Sequence, residues 1–398
     1  MTMSATEDLL ARLIAFDTTS RYSNTALIDF VADHLAAHGI ASHRVESEDG
    51  TKASLFATIG PNVAGGVVLS GHTDVVPVAD QVWTSDPFTL AVRDDRLHGR
   101  GACDMKGFIA CVLALVPDLT RTPLAVPLHL ALSYDEEVGC LAAPALIDAL
   151  LEAVAPPAFA IIGEPTEMRV AQAHRGIASF ATSISGRAGH SSKPDAGVNA
   201  IVAAAQCIGA LGQILEEQEA EAPRTGEKTT INVGRIEGGT AVNIIAGRCR
   251  FVWECRSDDG GAGERLSRGL DAWARQVLLP PLREVAPEAA VVTERLVAAP
   301  PLRLAPESPA VAAALALSGQ NSAGRVAFAS EAGQFQQAGI PAVVIGPGSA
   351  AQAHQPDEFV TREQIETCLA FLRRLAAWAT RSATRPPAAS TPAFRDPA

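Results

Sequence analysis

Apolar positions recur along this chain with two different periods. In the first part, short runs such as SLFATI, GVVLS, PLHLALS and FAII are apolar at nearly every position, which is the pattern of strands covered on both faces. They predict strands at 54–59, 66–70, 127–133 and 159–162. Longer segments with apolar residues three and four apart predict helices at 6–15, 24–38, 106–116 and 142–154. The second of these stops at Gly39, after a last turn holding His34 and His38. Strands that alternate with helices in this way make a mostly parallel sheet with helices on both faces, so the fold class is α/β.

Past about Arg175 the period changes. In RCRFVWECR, Cys249, Phe251, Trp253 and Cys255 share one strand face, while Arg248, Arg250, Val252, Glu254 and Arg256 share the other. That alternation describes a half-buried sheet. With helical patterns at 198–217 and 263–277, residues 177–293 read as a smaller α+β domain. It interrupts the first domain, which is therefore discontinuous, 1–176 and 294–381. A helix at 310–317, a buried strand at 342–345 and a closing helix at 362–379 return to the first style. The tail from 382 to 398 is rich in Pro, Ala, Ser and Thr with little to bury, and is expected to be disordered. No internal repeat is apparent.

Composition narrows the function classes. The 398 residues exceed one ordinary core, and 47% hydrophobic with 19% charged residues is not the balance of a disordered chain. Lys and Arg number 32 against 44 Asp and Glu, a net charge of -12, which argues against nucleic acid or an anionic membrane as partner and leaves acids free to hold cations. No apolar run reaches the roughly 18 to 20 residues of a membrane span, and the N-terminus lacks the order of a secretory signal, so a cytoplasmic protein is expected. Seven scattered cysteines without a CxxC pair read as reduced core thiols.

The acids and histidines follow the predicted strand ends. GVVLS runs into His72 and Asp74, PLHLALS into Asp135, Glu136 and Glu137, FAII into Glu164, and AVVI leads on to His354, while Asp104 precedes a helix in RGACDMKG. Ligands of open α/β sheets bind beyond the carboxyl ends of the strands, so these five segments converge on one site. Two imidazoles and at least three carboxylates suit zinc, and also cobalt or manganese. Asp104 has the place of a bridging ligand, Asp74 that of a residue holding the His72 tautomer, and of the adjacent Glu136 and Glu137 one can bind metal while the other moves protons. Taken singly, each residue has a plainer reading: His72 a loop histidine, the DEE triplet a solvated turn, Asp104 a helix cap, Glu164 a turn residue before Pro165.

Taken together, GHTDVVP, RGACDMKG, the DEE triplet, GEPTEM, GRAGHSS and AHQPDEF resemble the M20 family of dinuclear zinc peptidases and deacylases, in one order over residues 6–380. The resemblance implies two zinc ions per subunit, with cobalt or manganese as substitutes. It makes His72, Asp104 and Glu164 ligands of one ion and Asp104, Glu137 and His354 ligands of the other. It also implies that Asp74 orients His72, that Glu136 is the general base toward a zinc-activated water, and that residues 177–293 are a lid through which two subunits pair, carrying His190 to the neighbouring site.

The substrate-side loops, GEPTEMRVAQAHRGI, TINVGRIEGGTAVNIIAG and SEAGQFQQAGIPAVVIGPGSAAQAHQPDEFV, are most similar to the branch that removes acetyl from N2-acetylornithine, a step of arginine biosynthesis. An N-succinyl diamino acid, another N-acyl amino acid or a small peptide are the alternatives, and a silent binding relative is a third reading. Arg175, Asn243, Arg256 and Ser330 are the implied contacts for the substrate carboxylate or the reaction intermediate. Arg256 reads equally as a solvated strand arginine, and Asn243 as a turn residue. The branch pattern leads one to expect threonine at Ser330 and, more often, lysine at Gln355.

Overall fold

A computed structural model describes residues 3–221 and 227–381, so the tail expectation at 382–398 lies outside the described residues. The chain divides into two units, Met1–His174 with Leu302–Ala398, and Arg175–Pro301.

The first unit is built on an eight-stranded sheet in the order Ser42–Glu46, Ala53–Ile59, Leu128–Ser133, Val67–His72, Phe159–Ile162, Ala342–Val344, Ala171–His174 and Gly324–Val326. Four of its seven pairings, including the central three, are parallel. The unbroken apolar runs have a direct cause here. Val67, Leu69, Leu128, Leu130, Leu132, Phe159 and Ile161 point into one core, against helices Ala5–Ile14, Thr25–Ala37, Lys106–Arg121, Pro309–Ser318 and Arg362–Ala379. Val68, Ala131, Ala160 and Ile162 point into the other, against Ala143–Ala153 and Ala332–Gln337. The central strands are buried on both faces, so no polar alternation survives in them.

The helix expected at 106–116 continues through Pro117 to Arg121. Proline removes the amide that would bond the Leu113 carbonyl, and His34 Nε2 donates to that carbonyl instead, at 3.1 Å. The orphaned acceptor thus has a partner from another helix, which the sequence period cannot reveal. Strands Ser42–Glu46, Ala171–His174 and Gly324–Val326 also escaped the pattern, because they are short or polar and two lie at sheet edges.

The second unit is a four-stranded antiparallel sheet, Thr230–Gly238, Arg248–Ser257, Gly176–Ser185 and Ala290–Ala299 in spatial order. Cys249, Phe251, Trp253 and Cys255 are buried under helices Ala200–Glu221 and Ala262–Trp273. Trp253 stacks on Phe180 at 4.5 Å and donates its indole N–H to Thr182 Oγ1 at 3.0 Å. The last strand runs on to Ala299, past the boundary expected at 293. One helix among the described residues, Ala200–Ala220, is long and apolar enough by length and composition to cross a membrane, yet its Ala203, Ala204, Cys207, Ala210 and Leu211 pack on this sheet.

Candidate active site

The carboxyl ends of the central parallel strands of the first unit gather the predicted residues. His72 ends Val67–His72 and is 1% exposed. Its Nδ1 lies 2.9 Å from the Asp74 carbonyl, an acceptor only, so Nδ1 carries a hydrogen and Nε2 is the nitrogen that would meet a metal once it gives up its proton. The tautomer is therefore set by the backbone of Asp74. The Asp74 carboxylate, 3.7 Å from Nδ1 at its nearer oxygen, does a further job. It accepts Ser20 Oγ at 2.7 Å and the amides of Glu136 at 3.1 Å and Glu137 at 3.3 Å, holding the acidic turn in place.

Nε2 of His72 faces Asp104 Oδ1 at 3.0 Å and Glu164 Oε1 at 3.8 Å. Nε2 of His354 faces the other oxygen, Asp104 Oδ2, at 3.4 Å, and Glu137 Oε2 at 3.0 Å. Asp104 thus turns one oxygen to each imidazole, the arrangement a bridging carboxylate needs. The sets His72, Glu136, Glu164 and His72, Asp104, Glu137 each place ligand atoms within 4.8 Å of one another. Cys140 Sγ donates to Glu136 Oε1 at 3.2 Å.

Charge in this space is out of balance. Burial and the Asp104 charge push the carboxyls of Glu164 and Glu137 above their ordinary range, and burial also raises Glu136, with the Glu137 and Asp104 charges adding to it. Asp104, although buried, is held low by its hydrogen bonds to His354 and His72. His354 is raised to about 10 by its contacts with Asp104 and Glu137. His72 is raised too: burial works against this, but the bond to Asp104 and the Glu164 and Glu136 charges prevail. Glu137 Oε1 and Glu164 Oε1 are buried without any hydrogen-bond partner, which costs several kcal/mol if nothing else meets them (~1–3 each, more when charged). Divalent cations would satisfy both oxygens and offset the crowded acids, so the donor set fits a pair of metal ions.

The remaining predicted residues have other surroundings within their own units. His190 is exposed in the second unit, its Nδ1 bonded to Ser192 Oγ at 2.8 Å. Arg175 there donates to the Lys228 carbonyl and Thr230 Oγ1, both at 3.4 Å, Arg256 pairs with Glu254 at 2.9 Å, and Asn243 is exposed. Ser330, in the first unit, is fully buried. Its hydroxyl lies 3.0 Å from His174 Nε2 and accepts from the Ala332 amide at 3.3 Å, so it braces a helix start. Cys103 is a packed thiol bonded to the Ser349 carbonyl, and burial pushes its pKa up.

Sequence reasoning passed over Glu358, Arg100, Gln81 and Cys140. Glu358 stands in AHQPDEF, but an acid four positions after His354 looks like a surface acid until its burial is seen. Glu331 is also buried, Oε2 receiving Ser70 Oγ at 3.0 Å and Oε1 without a partner.

Residues 68–378 match the family described as Peptidase family M20/M25/M40. The chain is 38% identical over 384 residues to the acetylornithine deacetylase of Myxococcus xanthus, covering 94% of this chain and 98% of that one. It is 35% identical over 350 residues to the acetylornithine deacetylase of Photorhabdus laumondii subsp. laumondii, covering 87% and 88%. Among solved structures, a tripeptidase from Staphylococcus aureus subsp. aureus Mu50 superposes with a TM-score of 0.74 at 20% identity, covering 95% of this chain and 98% of that one.

Proposed function

The chain belongs to peptidase family M20/M25/M40 and is a hydrolase acting on amide bonds; from that premise we propose that it removes the acetyl group from N2-acetylornithine, giving ornithine and acetate, as a dimetal enzyme of arginine biosynthesis. The observation that carries the metal reading is that Glu137 and Glu164, the carboxylates beside His354 and His72, each keep one buried oxygen without a partner. The similarity to two acetylornithine deacetylases supports the substrate.

In this reading His72, Asp104 and Glu164 hold one ion and Asp104, Glu137 and His354 the other, with zinc as the native metal and cobalt or manganese able to replace it. Bound divalent metal supplies Lewis acidity, lowering the pKa of a water and polarising the amide carbonyl. Glu136, buried and held by the Asp74 clamp on its backbone, takes the proton of the attacking water and returns it to the leaving amine. Its Oε1 is engaged by the Cys140 thiol, which leaves Oε2 for that proton. His190, supplied by a partner's lid, would stabilise the oxyanion where charge develops. Arg175 and Arg256 offer planar forks suited to the substrate carboxylate; Asn243, whose carbonyl accepts the Ser191 amide next to His190, is a further candidate contact, and Ser330 another, its hydroxyl 3.0 Å from His174 Nε2. Pairing of two subunits is supported by Ile201, Val202, Ile236, Val242 and Ile244, all exposed on the second unit. The cytoplasm is the compartment this reading assigns.

Side-by-side kcat/KM values on N2-acetylornithine, N-succinyl-diaminopimelate, other N-acetyl amino acids and dipeptides test the substrate. The highest value is expected for N2-acetylornithine. A preference for the succinyl compound would move the chain to a different branch with the same chemistry.

A further inference from the structure

A second cluster of buried charge lies behind the ligand loops and takes no part in the reaction proposed above. Arg100 and Glu358 are each 1% exposed, and Arg100 Nη1 donates to Glu358 Oε2 at 2.7 Å. Glu358 also accepts the backbone amides of Gly101 at 3.0 Å, Cys103 at 2.9 Å and Asp104 at 3.0 Å. Four donors on two oxygens saturate this carboxylate. Arg100 reaches on, through Nη1 to the Gln355 carbonyl at 3.3 Å and through Nη2 to Gln81 Oε1, with its guanidinium over the Trp83 ring at 5.0 Å. Gln81 Oε1 also receives the Trp83 indole N–H at 3.2 Å, so its amide is oriented, and its Nε2 donates to the His354 carbonyl at 2.9 Å.

The two ends of this chain of bonds are the backbones of Asp104 and His354. A buried ion pair is poor evidence of stability, since well-packed apolar residues often do as well or better. The arrangement of the bonds therefore asks for another explanation. His354 is half exposed and has a positive φ of 65°, a backbone state that costs energy in a non-glycine residue and persists only where its surroundings impose it.

We propose that Gln81, Arg100 and Glu358 are positioning residues that fix the spacing of Asp104 and His354, and so set the affinity of the cation held between them and Glu137. The proposal rests on the dimetal reading. It predicts a graded asymmetry. Gln81 bonds the His354 carbonyl directly and reaches Asp104 only through Arg100 and Glu358, so its loss weakens chiefly one ion, whereas Glu358 binds the Asp104 amide itself, and Asp104 serves both.

The test is cobalt titration into metal-free full-length protein, followed by calorimetry and visible absorption, with melting of the metal-free forms as the control for folding. Wild type is expected to take two equivalents. Gln81→Ala should take one equivalent with unchanged affinity and bind the second roughly 10- to 100-fold more weakly, with the metal-free melting temperature unmoved and the spectrum of the second equivalent altered. Glu358→Gln should weaken both, and if that variant fails to fold, Gln81→Ala decides alone. Two equivalents bound by Gln81→Ala as tightly as by wild type would overturn the relay and leave the dimetal reading standing. Equal weakening of both ions in step with a lower melting temperature would also overturn it, as a general loss of structure. Fewer than two equivalents in wild type would overturn the dimetal reading and the relay with it.

Discussion

Two buried histidines on neighbouring strands show how differently the two ends of the large sheet are used. His129, near the start of Leu128–Ser133, pairs in register with Val68, and His72, at the end of Val67–His72, pairs with Ser133. Both are out of contact with water. His129 has one polar partner, Thr58 Oγ1 at 2.9 Å, and its Nε2 has none. Burial alone acts on it and lowers its pKa to about 4. His72 suffers the same burial, but Asp104, Glu164 and Glu136 reverse the outcome. Burial by itself makes a neutral, inert imidazole, while burial among excess carboxylates makes a site that calls for cations. One end of the sheet keeps a single imidazole neutral, and the other gathers carboxylates in excess around a ligand site.

Three changes sharpen that contrast. The largest effect belongs to the site end: Glu136→Gln should lower kcat by about 10²- to 10⁴-fold with metal content unchanged, measured by steady-state kinetics beside elemental analysis. Near-normal turnover would remove Glu136 from its role. At the other end, His129→Leu should change stability and leave the reaction intact. The folded state holds His129 neutral down to about pH 4, whereas an unfolded histidine protonates near 6.5. Between those values the unfolded chain binds more protons, so this contribution is fully present above pH ~6.5 and is lost as pH falls toward 4, amounting to about 3 kcal/mol. Urea unfolding across that window should show a shallower pH slope in His129→Leu than in wild type, and identical slopes would count against the buried neutral state. The smallest effect is that of Thr58→Val, which removes the sole partner of His129 and should cost about 1 to 2 kcal/mol in the same assay, with kcat/KM unchanged.

How far the sequence discloses this molecule follows the same division. Runs such as GVVLS and FAII announce strands buried twice over, and the alternation through Arg248–Ser257 is repeated residue by residue in its burial. Acids at strand ends point to one site because parallel topology forces those ends together. What stays hidden is whatever depends on a distant partner. The helix through Pro117 needs His34, and the Asp104 turn needs Glu358 from 254 residues away. Ser330, expected from its motif to contact substrate, also has a partner 156 residues away in His174, which the motif does not announce. Side-chain direction within a loop has no periodicity to betray it.

A dimetal centre for amide hydrolysis at the unsatisfied acids of the strand ends would make the reaction follow metal content. The most direct test is ornithine release from N2-acetylornithine by the purified protein, before chelation, after it, and after stepwise return of zinc or cobalt. Release is expected to stop on chelation and to recover as up to two metal ions bind per chain. Undiminished release from protein shown by elemental analysis to be metal-free would contradict the dimetal reading.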